Sequence, residues 1–278
     1  MKVDVYAICW NEVDLVDHFF DRYDPVASRY IFFDDGSTDG TLEKIAAHPL
    51  SEIRRFERSS RESYVLSAQA LHNSVWKESR GTADWALITA VDEHLVHPDL
   101  PAYLRRCLAQ GVTMIPAVGF QMVSDTFPNY PDSLSETVTH GAPFPKMSKV
   151  CLLRPSEIEE INYRPGRHQA EPQGNVVLPA RDEVLNLHYK YLDFDRLRDR
   201  HVVLATGLGE KDIKNGWGHR YLFDEAQLKA DFEGFRDQSY DLARLDHDAV
   251  IALHDVESRW WRSEERGFPS ADEVSTKS

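Results

Sequence analysis

Phe32-Phe33-Asp34-Asp35-Gly36-Ser37-Thr38-Asp39-Gly40-Thr41-Leu42 is the stretch whose reading decides the fold of this chain. Two aromatic residues close an apolar run that begins at Tyr30. Two carboxylates follow, two glycines bracket a polar turn, and Thr41-Leu42-Glu43 opens a helix that Thr38 or Asp39 can cap. Strand, turn and helix N-terminus in that order form the repeating unit of α/β proteins. In open sheets of that class ligands lie beyond the carboxyl ends of the strands, so Asp34 and Asp35 are expected at a ligand crevice. Spacing excludes two other readings. A calcium loop starting at Asp35 would need Asp or Asn where Ser37 stands and Glu where Ala46 stands, and a phosphatase nucleophile would also have to replace Ser37.

Working outward, Val3 to Cys9 reads as a first strand, and the pairs Leu15/Phe19 and Val16/Phe20 put an apolar stripe on the helix that follows. Ile53 to Phe56 is the third strand, and the next helix faces inward through Tyr64, Ala68, Leu71 and Val75. Trp85 to Thr89 is a strand, Pro98 opens a helix with Leu100, Leu104, Cys107 and Leu108 inward, and Thr113 to Val118 is a strand again. From Asp125 to Pro179 eight prolines break the chain into short pieces, a texture expected of a loop wall around a binding site. After His188 it turns charged and helical, with Leu228, Phe232 and Phe235 on one face. The fold class is therefore α/β, a mainly parallel sheet flanked by helices, with residues 1–192 as the main domain, 193–262 as a helical C-terminal segment and 263–278 as a frayed polar tail.

The 278 residues carry 32 Lys+Arg against 46 Asp+Glu, a formal charge of −14. That balance argues against a nucleic-acid partner, which needs clustered cations. No apolar run nears the ~20 residues of a membrane span, and the N-terminus lacks a signal core, so a soluble cytoplasmic protein is expected. Cys9, Cys107 and Cys151 have no paired spacing and read as reduced thiols.

The Asp34-to-Thr41 string resembles the Asp-Asp-Gly-Ser-Thr-Asp-Gly-Thr signature of glycosyltransferase family 2, sugar-nucleotide transferases of GT-A (Rossmann-like) fold. Three further stretches are similar to that family, in its order, over roughly residues 1–200: Asn11-Glu12 after strand one, Ala90-Val91-Asp92-Glu93 after Trp85 to Thr89, and Leu187-His188-Tyr189-Lys190-Tyr191, the last matching a bacterial branch. The resemblance implies inverting transfer of a sugar from a nucleoside-diphosphate sugar to a saccharide or lipid-linked acceptor, in the cytoplasm or at the inner face of the cell membrane. Asn11, Glu12, Asp34, Asp35, Ser37 and Arg61 are then expected around the nucleotide. Asp92 and His188 are expected to hold Mn²⁺ or Mg²⁺, since these ions take oxygen ligands and tolerate an imidazole. Lys190 could lend charge to the diphosphate. Glu93 and Trp217 are assigned to the acceptor side, where Tyr130 and Tyr163 could also stack on sugar faces, and the base that inversion requires is sought among Asp125, His168 and Glu171, with Asp125 first because it follows a strand. Ala90 stands where the first Asp of the family's metal motif would be, and this motivates the alternative of a degenerate sugar-nucleotide-binding protein. A nucleotidyltransferase is disfavoured because strand one runs into a glycine-free, acidic stretch. Oligomeric state is left open.

Overall fold

The computed structural model describes residues 1–275. In chain order the elements are β1 (Val3–Cys9), α1 (Val16–Tyr23), β2 (Arg29–Asp34), α2 (Thr41–Ala47), β3 (Ser51–Arg55), α3 (Tyr64–Ser74), β4 (Trp85–Ala90), β5 (Glu93–Val96), α4 (Leu100–Ala109) and β6 (Met114–Ser124). There follow α5 (Leu134–Thr137), β7 (His140–Pro143), β8 (Lys149–Leu153), β9 (Ile158–Glu160), β10 (Gln173–Gly174) and β11 (Leu185–Leu192). The C-terminal part adds α6 (Phe194–Gly207), α7 (Glu210–Lys214), α8 (Glu225–Asp237), β12 (Tyr240–Asp241), α9 (His247–Ala252) and α10 (Ala271–Ser275).

Strands β3, β2, β1 and β4 lie side by side and parallel, the sheet core expected for an α/β chain. The residues of β2, β1 and β4 are nearly all buried, as strands covered by helices on both faces must be, while the edge strand β3 is exposed to half-buried. Beyond β4 the sheet becomes mixed. β8 runs antiparallel between β4 and the first half of β6, while the second half of β6 pairs in parallel with β11 and antiparallel with β7. β5 folds back antiparallel onto β11. The helix stripe expected after β1 is real: Val16, Phe19 and Phe20 are buried, with Phe19 edge-on to Tyr23 and Phe32. The turn after β2 needs its glycines, since Gly36 and Gly40 sit at φ +93° and +97°, where a side chain is strained.

Two sequence readings need correction. The proline-rich stretch is not only a loop wall: Lys149-Val150-Cys151-Leu152-Leu153 is a fully buried strand in the middle of the sheet. A short continuous apolar run is ambiguous by pattern alone, and the prolines around it hid it. Nor is the segment after 262 frayed throughout, because the Leu178 amide donates to the Pro269 carbonyl and the Ala271 amide to the Leu178 carbonyl, each at 2.9 Å. Residues 276–278 of the expected tail lie outside the described residues. The C-terminal helices pack onto the sheet, Leu197, Leu228, Phe232 and Phe235 forming one cluster with Val123 and Tyr191. No helix among the described residues is long and apolar enough to cross a membrane.

Candidate active site

The carboxyl ends of β1, β4 and β11 open into one cavity of about 820 Å³. Its centre is Asp92, in the two-residue link between β4 and β5. Val91 is buried in the core, which turns the next side chain outward, and the Asp92 carbonyl accepts a 2.7 Å hydrogen bond from the Tyr189 amide. On β11, His188 and Lys190 alternate with the buried Tyr189 and share one face, as a strand's period of two requires. That face meets Asp92: His188 Nε2 lies 3.1 Å and Lys190 Nζ 3.8 Å from Asp92 Oδ2.

Gln121 stands opposite His188 in the β6–β11 register and determines its tautomer. The Gln121 amide nitrogen donates to the carbonyls of Met122 (3.1 Å) and His188 (2.9 Å), so Oε1 must accept from His188 Nδ1–H at 2.6 Å. Nε2 of a neutral ring then aims a lone pair at a carboxylate oxygen. Two acceptors at 3.1 Å repel unless a proton or a cation stands between them. Adjacent ligands of an octahedral ion with bonds of about 2.1 Å are roughly 3.0 Å apart, so Asp92 Oδ2 and His188 Nε2 fit a shared Mg²⁺ or Mn²⁺. Among the described residues no third His, Cys, Asp or Glu joins them, and the remaining positions fall to a ligand and water.

Cations crowd the same spot. Burial works against the Asp92 carboxylate, yet His188, Lys190 and Arg200 together hold its pKa well below the usual range. Lys190 is desolvated too, but Tyr221 and Asp92 keep it charged, and its ammonium donates to the Tyr221 hydroxyl at 3.0 Å. Arg200, on α6, pairs with Glu12, while its Nη1 is buried without a partner among the described residues. Burial pushes the Glu12 carboxyl up to about 7 against the pull of Arg200.

On the opposite side of Asp92 the neighbouring Glu93 is locked in a buried triad, Oε1 on Lys149 Nζ and Oε2 on Arg167 Nη2, both at 2.6 Å. Both carboxylate oxygens are therefore committed to cations, which leaves neither free to bond an acceptor hydroxyl directly. The loop that supplies Arg167 also supplies His168, whose Nδ1 donates to the Lys146 carbonyl. Burial, then the nearby Lys149 charge, press His168 down to about 4, so at neutral pH it is uncharged with its lone pair on Nε2.

Of the three base candidates only His168 lines the cavity. Asp125 is mostly exposed at the end of β6, 3.4 Å from Arg236, and Glu171 is spent on Arg164 at 2.6 Å on the surface. Both lie outside the cavity wall, and strand-end position alone did not aim Asp125 inward. Among the nucleotide candidates Glu12 lines the cavity and the others stand behind it. Asn11 accepts from the Thr38 amide, and its own amide donates to Ser37 Oγ. Asp34 caps the Gly36 and Ser37 amides of its own loop. Asp35 takes a two-pronged contact from Arg58 at 2.6 and 3.1 Å, and Arg58 in turn donates to the Gly207 carbonyl. These bonds hold the loop after β1 against the loop after β2 and tie α6 to them. Arg61 and Tyr130 are exposed and Tyr163 is buried in the core, all three outside the wall.

Trp217 does line the cavity, on an arm of residues 207–221 of which sequence reading marks only the stretch around Trp217. Asp212 pins that arm: fully buried, it accepts from Ser63 Oγ and the Tyr64 amide (2.8 Å) at the start of α3, and from the Gly209 amide (3.0 Å) at the start of α7. Trp10, Gln121, Arg200 and Tyr221 are wall residues that no motif marked. Gln121 alone had a signal, a polar residue inside an apolar strand.

No model of a known protein family matches the chain, and no curated protein matches it. Among solved structures it is similar to residues 1–349 of S. aureus TarS, at 13% identity and a TM-score of 0.40 over 84% of this chain and 72% of that one. It is also similar to the glucosyl-3-phosphoglycerate synthase of Mycobacterium tuberculosis in complex with Mn²⁺, uridine diphosphate and phosphoglyceric acid, at 15% identity and a TM-score of 0.35 over 60% of each chain. A third similarity, to a mycobacterial protein, has 19% identity and a TM-score of 0.31 over 43% of this chain and 41% of that one. The chain thus spans less than two thirds of the length of the second and third of these.

Proposed function

We propose that this chain is a glycosyltransferase that moves a sugar from a nucleoside-diphosphate sugar to a hydroxyl of a saccharide or lipid-linked acceptor, by direct displacement with inversion. The observation that carries the reading is the Gln121-oriented His188 facing Asp92 at 3.1 Å, at strand ends, with Lys190 and Arg200 alongside. Departure of a nucleoside diphosphate leaves at least two negative charges that must be met locally in a chain of net charge −14. A divalent cation on Asp92 and His188 supplies Lewis-acid stabilisation of that leaving group. Lys190 and the unpartnered Nη1 of Arg200 add fixed positive charge beside it. His168, neutral at pH 7 with Nδ1 committed to a carbonyl, keeps Nε2 free to accept the acceptor's hydroxyl proton, as a base weakened by burial and the nearby Lys149 charge. Trp217 offers an aromatic face to a sugar. Asn11, Asp34, Asp35 and Ser37 hold the loop behind the nucleotide rather than reaching into the cavity.

A second reading is favoured by Ala90: a sugar-nucleotide-binding protein without transfer. Calorimetric titration with UDP, GDP and dTDP, each with and without Mn²⁺, tests the donor site. Tighter binding of one nucleotide with Mn²⁺ is expected, and no binding of any would refute the donor site. Nucleotide binding with neither donor hydrolysis nor transfer would favour the second reading, and a large gain of turnover in Ala90→Asp would then mark a decayed site.

A further inference from the structure

Seven Lys and Arg side chains line the cavity against three carboxylates, in a strongly acidic chain. Lys190 and Arg200 belong to the Asp92 side, and Arg220 is engaged by Asp231 at 3.2 Å. Of the other four, Lys149 and Arg167 act on His168 by their charge, Lys146 holds it through its backbone carbonyl, and Arg164 lies on the same loop of the cavity wall. Glu93 is the one carboxylate of the cavity wall that meets them, and it is shared by two cations whose side chains are only 4–5% exposed, which leaves a net positive charge in the interior. An uncompensated buried charge is costly and calls for a counter-ion. The strain is visible on Lys149, where burial lowers the pKa in spite of the Glu93 contact. At the rim, Lys146 has no ion-pair partner among the described residues, and the Arg164–Glu171 pair is solvent-exposed, so a ligand can exchange into it at little loss.

We infer that this side of the cavity is a second anion site, and that the acceptor is a hydroxyl compound carrying a phosphate or carboxylate group that docks between Lys146 and Arg164, over the Lys149–Arg167–Glu93 triad. The inference rests on the glycosyltransferase reading for the word acceptor, because a base at His168 must touch the acceptor hydroxyl and the four cations line the cavity wall with that histidine. Occupancy of the Asp92 side by the donor leaves this charge unmet, so the two anion sites fill independently.

Tryptophan fluorescence reads the site, since Trp217 and Trp260 both line the cavity. With UDP and Mg²⁺ in excess, inorganic phosphate and acetate are titrated separately, with chloride at equal ionic strength as control. A saturable change with phosphate or acetate is expected, the stronger of the two naming a phosphorylated or a carboxylated acceptor. Its midpoint should rise at least fivefold in the exposed double variant Lys146→Gln/Arg164→Gln, which should keep UDP affinity within twofold and the same melting temperature. A change that chloride reproduces, no saturation with either anion, or an unaltered midpoint in the double variant would overturn the inference. Failure of UDP to bind the unaltered protein would instead sink the donor site, and the same titration without UDP would still test the anion site.

Discussion

Asp92 and Glu93 are chain neighbours with opposite fates. Both are buried carboxylates held well below their usual pKa by cations that outweigh the burial penalty. Glu93 has each oxygen closed at 2.6 Å by a buried cation, and nothing about it is left to change in a reaction. Asp92 faces a histidine at 3.1 Å and a lysine at 3.8 Å, contacts longer than those of Glu93 and open to a cation or a proton between them. Satisfied charge holds a fold together, and unresolved charge at a strand end is available for chemistry.

The largest effect should separate the two in activity. Asp92→Asn is expected to lower kcat about a thousandfold, the several kcal/mol a leaving-group cation supplies, while the melting temperature stays within a few degrees. Steady-state kinetics with Mn²⁺ beside a thermal melt would check both halves. Glu93→Gln should behave in reverse, losing about 3–5 kcal/mol of unfolding free energy because two buried cations lose their counter-charge. The sign with pH follows from the lowered carboxyl pKa values. For Glu93 the stabilisation is complete above the ordinary glutamate value near 4 and is lost as pH falls below it, so acid unfolding of the parent should begin there. In Glu93→Gln the slope of stability against pH should be shallower, and denaturant titrations at several pH values would measure it.

Smaller effects sharpen the contrast. His168→Ala should cost about a hundredfold in kcat, the usual worth of a general base, and the acid limb of kcat/KM in the parent should lie near the His168 value of about 4 rather than near 6.5. A pH–rate profile with its acid limb at 6.5 would remove His168 from the role. The smallest change is Gln121→Leu, which frees the His188 ring to flip and should weaken Mn²⁺ about tenfold while altering donor affinity without metal little. Calorimetry with and without Mn²⁺ reads that difference.

Much of this was legible before any coordinates. The parallel core follows from the apolar runs of β1, β2 and β4, whose periodicity is local. The Asp92–His188 pair followed from chemistry and motif order, although the residues are 96 apart. What stayed hidden is tertiary in origin. The partners of Glu93 lie 56 and 74 residues away in a proline-rich stretch, one of them on the strand β8 that this texture concealed. Arg200 sits among Arg196 and Arg198 on a charged helix, and only packing shows that Arg200 pairs with Glu12 at the cavity while Arg198 pairs with Asp195 and Asp199 on the surface. Asp125 failed as a base because the end of a strand gives position along the sheet but not the direction of a side chain.

The central claim is that Asp92 and His188 take one divalent cation together with a nucleoside diphosphate. A crystal of the protein with UDP and Mn²⁺ tests it most directly, by anomalous scattering from the metal. The account predicts one Mn²⁺ at about 2.1–2.2 Å from both Asp92 Oδ2 and His188 Nε2 and from a diphosphate oxygen. UDP bound with the metal absent, or ligated by neither residue, would contradict it.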